Sequence, residues 1–331
     1  MSELRKDPIT NSWVIIAADR ALRPSRFKSP TTSKLTGQQN PFAPGNESMT
    51  PPEIARVPDE NNPQQWLVRV IPNKYPALEI EGRNAIQQDG LYEKMDGVGA
   101  HEVIIESPNP EFKLHLLTQP HLVAVLQTYR DRMADLSQDS RFVTTVLFRN
   151  SGAHAGATVA HGHAQLIALP MVPPQIQARL STTESYFKAN GSNVFEDIIG
   201  HEERTGERVV CTTDDFVCFT PYASRSPYEL MIVPRRQSAR FEECADKELE
   251  AFASILSEAL NRLECYLGDF AYNFMLQSAP RTAAGASWYR WHLQIVPRLT
   301  QVAGFEWATN FFINPTTPES AAESLRRVRL K

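Results

Sequence analysis

The sequence predicts an α+β protein made of two tandem units, each an antiparallel sheet with a crossing helix. Three observations carry this expectation: a polar and apolar alternation at residues 161–168, two long helical apolar periodicities, and one order of elements that occurs twice.

Trp13–Ala17 is strand-like, and residues 23–63, rich in Pro, Ser, Thr, Asn and Gln, predict an irregular, extended arm. The first unit then reads Trp66-Leu-Val-Arg-Val-Ile-Pro, His101-Glu-Val-Ile-Ile-Glu, a helix, Phe142-Val-Thr-Thr-Val-Leu-Phe and His163-Ala-Gln165. Its strands are short, rich in Val, Ile and Phe, and bounded by Pro or Gly. Leu122, Leu126, Tyr129, Met133 and Leu136 step by four and three along the helix, with Thr118 as capping residue and Pro120 in the opening turn. After Pro173-Pro174, residues 175–207 form a linker with a short helix near Val194–Glu203.

The second unit repeats the order. Phe216-Val-Cys-Phe and Tyr228-Glu-Leu-Met-Ile-Val-Pro precede a helix marked by Leu249, Phe252, Leu256, Leu260, Leu263 and Leu267. Tyr272-Asn-Phe-Met-Leu and His292-Leu-Gln294 follow. A matching His-x-Gln closes each unit. The chain therefore divides into residues 1–174, 175–207 and 208–331, and its 331 residues are enough for two cores.

Composition narrows the function. At 42% hydrophobic and 22% charged, with net charge −4 and no basic block, the chain has little to offer nucleic acid or an acidic membrane. No apolar run approaches the ~18 residues of a membrane span, and the polar N-terminus lacks a signal peptide's apolar core. Cys211, Cys218, Cys244 and Cys265 are too scattered for a disulfide framework or a zinc knuckle. A cytoplasmic protein is expected.

In a strand, His161, His163 and Gln165 would project from one side and Leu166 and Ala168 from the other. Three polar groups on one face need a common partner, and a ligand phosphate would serve. His163 is the candidate nucleophile, able to carry a nucleotidyl group covalently. Gln165 can donate its amide NH2 to a phosphate oxygen without adding charge. The small residues Gly156, Ala157 and Thr158 let backbone N–H groups approach an anion. Arg20 and Arg23, three apart after a strand, can clamp a phosphate.

The run His161-Gly-His163-Ala-Gln165-Leu-Ile resembles the galactose-1-phosphate uridylyltransferase branch of the histidine triad superfamily, in which Gln stands where other branches carry a third His. The likeness extends from Arg20 to about Arg326. Ala155-Gly156-Ala157-Thr158 and Ala168-Leu-Pro-Met-Val-Pro-Pro174 resemble the ADP-glucose phosphorylase-like subgroup. The resemblance implies two histidine-triad-like units, a nucleotidyl-histidine intermediate at His163 and a homodimer. It further implies that Arg20 and Arg23 hold the phosphate of a sugar 1-phosphate and that Asn73 meets base and ribose. Asn150 and Thr158 would line the phosphate pocket, while Phe305 and Glu306 would contact the hexose.

One departure concerns metal. Relatives hold zinc with Cys-Pro-x-Cys-Pro-Gly-Asn-Glu and two histidines. Here the stretch reads Asn40-Pro-Phe-Ala43-Pro-Gly-Asn-Glu47, the first histidine position falls near Asn109, and only His161 remains. A second metal site keeps His292 but has Gln294 and Gln277 beside it. Four ligands are wanted at a structural zinc, so no metal and no other cofactor are expected, and packing must hold the arm. The expected substrates are a nucleotide sugar together with a sugar 1-phosphate or phosphate. UDP-glucose and galactose 1-phosphate are the simplest pair, and ADP-glucose with inorganic phosphate is the alternative. A hydrolase or binding protein without covalent transfer is the competing class.

Overall fold

The computed structural model describes residues 2–22, 40–59 and 62–330. In chain order the strands begin with β1 (Glu3–Lys6), β2 (Trp13–Ile16), β3 (Ala55–Asp59), β4 (Asn62–Pro72), β5 (Gln87–Asp89), β6 (Tyr92–Lys94) and β7 (Ala100–Ile105). Helix α1 (Gln119–Leu136), strands β8 (Thr144–Ser151) and β9 (His163–Leu169), and helices α2 (Pro174–Asn190) and α3 (Val194–Thr205) come next. The chain continues with β10 (Val209–Thr212), β11 (Phe216–Phe219), β12 (Leu230–Pro234), α4 (Asp246–Leu267), β13 (Tyr272–Gln277) and β14 (His292–Pro297). It closes with α5 (Gly304–Thr309), β15 (Phe312–Asn314) and α6 (Pro318–Arg327).

The expected α+β class and its duplication are both present. One antiparallel sheet of ten strands runs β10-β11-β12-β14-β13-β8-β9-β7-β4-β3. Read outward from its centre, β8-β9-β7-β4-β3 and β13-β14-β12-β11-β10 place corresponding strands of the two units in the same order. The halves join edge to edge, with Asn273 opposite Asn150 and Phe274 opposite Arg149. Each unit thereby covers the other's central edge strand, which would otherwise offer unpaired backbone groups.

One face of this sheet carries α1 and α4. Leu122, Leu126 and Met133 of α1 and Leu249, Leu256 and Leu263 of α4 share a single buried cluster with Leu147, Leu166, Phe274 and Leu293. The continuous sheet gives both helices one surface to bury against. Each such side chain contributes about 1.5–3 kcal/mol of burial free energy. Thr118 does occupy the N-cap position of α1, but its side chain makes no capping hydrogen bond.

Three other expectations need correction. The arm is not irregular throughout, since Ala55–Asp59 pairs with β4 as an edge strand. The linker is mostly helical: α2 and α3 lie on the second sheet face, where Leu180, Phe195 and Ile199 pack on Val217, Phe219 and Met231. Cys211 and Cys218, called scattered from their spacing, sit directly opposite one another on neighbouring strands. A separate small sheet, β1-β2-β15, includes one parallel pair, β2 with β15. Among the described residues no helix is long and apolar enough to cross a membrane.

Candidate functional site

The site lies on the face of the first unit that turns away from α1. Alternation along β9 buries Ala164, Leu166 and Ala168 in the core and turns His163 and Gln165 the other way. Neighbouring strands supply the walls: Ile105 lies opposite His163 and Val103 opposite Gln165, while Asn150 lies one residue beyond the Arg149–Ala164 pair on β8. Phe42 from the arm packs its ring edge-on to His163, with centroids 5.2 Å apart.

His163 is 7% exposed, and its Nδ1 lies 2.8 Å from the backbone oxygen of His161. A carbonyl only accepts, so Nδ1 carries the proton and the Nε2 lone pair is left free. Burial holds the imidazole below the usual histidine range, against the smaller opposing pull of the His161 carbonyl and Glu106. The result is a neutral imidazole with one committed nitrogen and one available nitrogen.

His161 also meets the Phe42 ring, with centroids 6.1 Å apart, but both of its ring nitrogens are engaged. It precedes the strand, buried to 1% exposure, where its Nε2 donates to the Ser107 carbonyl at 2.7 Å and its Nδ1 accepts from Asn40 Nδ2 at 3.0 Å. Asn40 Oδ1 in turn accepts from Phe42 N–H at 3.0 Å. A carboxamide thus ties the arm to the segment carrying His163, where packing alone was expected. One imidazole, one carboxamide and a backbone carbonyl do not fit the thiolate and imidazole set of a structural zinc.

Between His161 and His163, an ideal Cβ on Gly162 would lie 2.5 Å from the Phe112 ring and 2.8 Å from Arg149 Nη2. Only glycine lets this arginine approach. Arg149 Nε donates to Glu106 Oε2 at 2.8 Å and Nη1 donates to the Tyr272 hydroxyl at 2.9 Å, while the Tyr129 hydroxyl donates to Glu106. Burial opposes the arginine's charge, but Glu106 and the two tyrosines outweigh it and hold the group above its ordinary range. This buried network joins β8, α1 and β13 directly beneath the Gly162–His163 segment. Sequence reading missed it, because an arginine in an apolar strand has no local signature.

Three amides among the expected site residues share one property. The carbonyl oxygen of Asn73 accepts from Tyr75 N–H at 2.9 Å, that of Asn150 from Asn273 Nδ2 at 2.8 Å, and that of Gln165 lies 2.9 Å from His101 Nε2. With their oxygens engaged, the three groups offer N–H donors, which suits an anion. Gly156, with φ +87°, ends the loop's short 3-10 turn, 3.9 Å from Asn150 Nδ2 measured at its ideal Cβ position. Thr158 follows it, exposed. His101 and Asn273 were not anticipated from sequence.

Of the other expected residues, Arg20, Phe305 and Glu306 are among those described. Arg20 is exposed in the 3-10 turn Ala18–Leu22, and Arg23 falls outside the described residues. Phe305 and Glu306 belong to α5, and Glu306 accepts from Ala303 N–H at 3.0 Å, closing the helix's first turn. Arg20 follows β2 and α5 precedes β15, so these residues flank the small parallel pair. Among the described residues no hydrogen bond links Arg20, Phe305 or Glu306 to His163 or Gln165.

In the second unit, His292 Nδ1 bonds the Arg290 carbonyl at 3.0 Å, the same device as at His163. There α2 and α3 seal the face. Phe195 lies 5.1 Å from the His292 ring, Arg179 donates to Gln277, and Gln277 donates to Gln294 at 3.2 Å. Burial, with Arg179 nearby, pushes His292 down to about 3. The second His-x-Gln is a buried structural copy. Among the described residues no group of three His, Cys, Asp or Glu is arranged to hold a metal ion.

The chain matches the family described as galactose-1-phosphate uridyl transferase, N-terminal domain, over residues 1–173, and its C-terminal domain over residues 179–329. It is 35% identical to the ADP-glucose phosphorylase of Arabidopsis thaliana, covering 99% of this chain and 93% of that protein. It is 25% identical to the galactose-1-phosphate uridylyltransferase of Thermotoga maritima, covering 100% of both. The crystal structure of the Arabidopsis thaliana phosphorylase with bound ADP-glucose superimposes with a TM-score of 0.86 at 34% identity, covering 100% of each chain.

Proposed function

Because the chain belongs to the galactose-1-phosphate uridyl transferase family, whose members are nucleotidyltransferases, we propose that it moves a nucleotidyl group from a nucleoside diphosphate hexose to a phosphate acceptor through nucleotidyl-His163. The observation that carries this reading is the neutral His163, with Nδ1 committed to the His161 carbonyl and Nε2 free beside Gln165. The Nε2 lone pair attacks the α-phosphorus, and the bond to the bridging oxygen breaks, releasing hexose 1-phosphate. In the second step an acceptor phosphate oxygen attacks the same phosphorus and the P–N bond electrons return to Nε2. Donors from Gln165 and Asn150 neutralise no charge by themselves but stabilise the crowded phosphoryl oxygens in both steps, while Asn73 serves base and ribose.

ADP-glucose as donor and inorganic phosphate as acceptor are favoured by the 35% identity to ADP-glucose phosphorylase and by the Ala155-Gly-Ala-Thr158 signature. Uridylyl transfer from UDP-glucose to galactose 1-phosphate is the second reading, favoured by matches to both uridyl transferase domains. Incubation with ADP-glucose or UDP-glucose, each with phosphate or galactose 1-phosphate, separates them. Glucose 1-phosphate and ADP from the first pair are expected. UDP-galactose as the main product would establish the second reading, and absence of any labelled His163 would overturn both.

We also infer that the enzyme works without zinc, because Asn40, His161 and the Ser107 carbonyl satisfy one another. Purified protein should hold far less than one zinc per chain by elemental analysis and keep its activity in chelator. Stoichiometric zinc would contradict this.

A further inference from the structure

We propose that His101 is a positioning residue that fixes Gln165 as a hydrogen-bond donor toward the substrate phosphate, an inference that rests on the nucleotidyl-transfer reading above. His101 lies on β7 two residues before Val103, the partner of Gln165, so its ring reaches Gln165 diagonally across the strand pair. The backbone N–H of Ala77 points at His101 Nδ1, 3.1 Å away. An N–H can only donate, so Nδ1 is unprotonated and the neutral ring carries its proton on Nε2. That Nε2 lies 2.9 Å from Gln165 Oε1 and 3.2 Å from Asn73 Nδ2. Asn73 cannot turn its amide without losing the Tyr75 N–H bond to its oxygen, and two N–H groups do not bond each other. Gln165 is therefore the acceptor.

The consequence is one of sign. An amide is nearly symmetric in shape, and turned by half a rotation Gln165 would present its oxygen to the anionic phosphate. His101 occupies that oxygen and leaves the NH2 for the ligand. His101 also holds the chain at residues 73–77, since Asn73 N–H donates to its carbonyl at 2.8 Å. The test must separate these two roles.

His101→Gln places an amide NH2 near the Nε2 position and keeps the donor to Gln165, but loses the Ala77 contact. His101→Asn can accept from Ala77 but falls short of Gln165. With the nucleotide sugar that labels the wild type, His101→Asn should slow labelling of His163 by about tenfold to a hundredfold, as should Gln165→Ala. His101→Gln should stay near the wild-type rate, and His101→Asn in the Gln165→Ala background should add nothing. Equal slowing in His101→Gln and His101→Asn, or additive losses in the double variant, would overturn the proposal. Ring-nitrogen NMR of the unliganded protein gives a readout independent of turnover: an Nε2–H His101 is expected, and an Nδ1–H form would overturn the proposal. Failure of the wild type to label would instead overturn the nucleotidyl-transfer reading.

Discussion

His163→Ala should lower turnover by several orders of magnitude, because the two-step route has no other free nucleophile at the phosphorus. The variant should also fail to retain label from a nucleotide sugar, which mass spectrometry of the intact chain reads directly. Near wild-type activity would end the covalent mechanism. The wild type carries a pH signature as well. Burial lowers the folded-state affinity of His163 for a proton, so labelling should persist below the ordinary histidine range and fall only as acid protonates Nε2. A rate already falling through the ordinary range near 6.5 would show that Nε2 is not held neutral as the geometry implies.

Arg149→Ala should give the largest loss of stability. It leaves Glu106, fully buried, with no cation, and it strips the Tyr272 hydroxyl of its donor. Breaking a buried pair from one side costs about 3–5 kcal/mol, whereas replacing both partners by apolar groups costs far less. Denaturant melts should therefore show Glu106→Leu/Arg149→Met recovering much of the stability that Arg149→Ala loses. A loss below about 1 kcal/mol in Arg149→Ala would mean that water reaches Glu106 and that the two units are not tied together beneath the site.

The path from sequence to site was uneven, and the unevenness has a physical pattern. The helices at 119–136 and 246–267 were legible because one apolar stripe must face the sheet every three to four residues. His163 and Gln165 were legible for the equivalent reason in a strand, where alternate residues share a face. The surroundings of His161, two residues earlier, were not legible, because both of its ring nitrogens are engaged by groups outside the strand. Its partners Asn40 and Ser107 lie far away in sequence. Helix α2 went unread because Ile176 and Leu180 sit among polar residues, and only the second unit's sheet gives them a surface to cover.

The sequence by itself determined the α+β class, the duplicated order of strands and helices, and the shared strand face of His163 and Gln165. Each of these rests on periodicity or spacing within a few residues, which backbone geometry enforces locally. Only the tertiary structure decided that the two sheets fuse through β8 and β13, that α2 and α3 close one His-x-Gln while the other stays open, and that His101 and Asn273 orient the amides at the site. Those contacts join residues 64 and 123 positions apart. They form because burying apolar faces brings distant strands into register, and polar groups carried along must then find partners where they land.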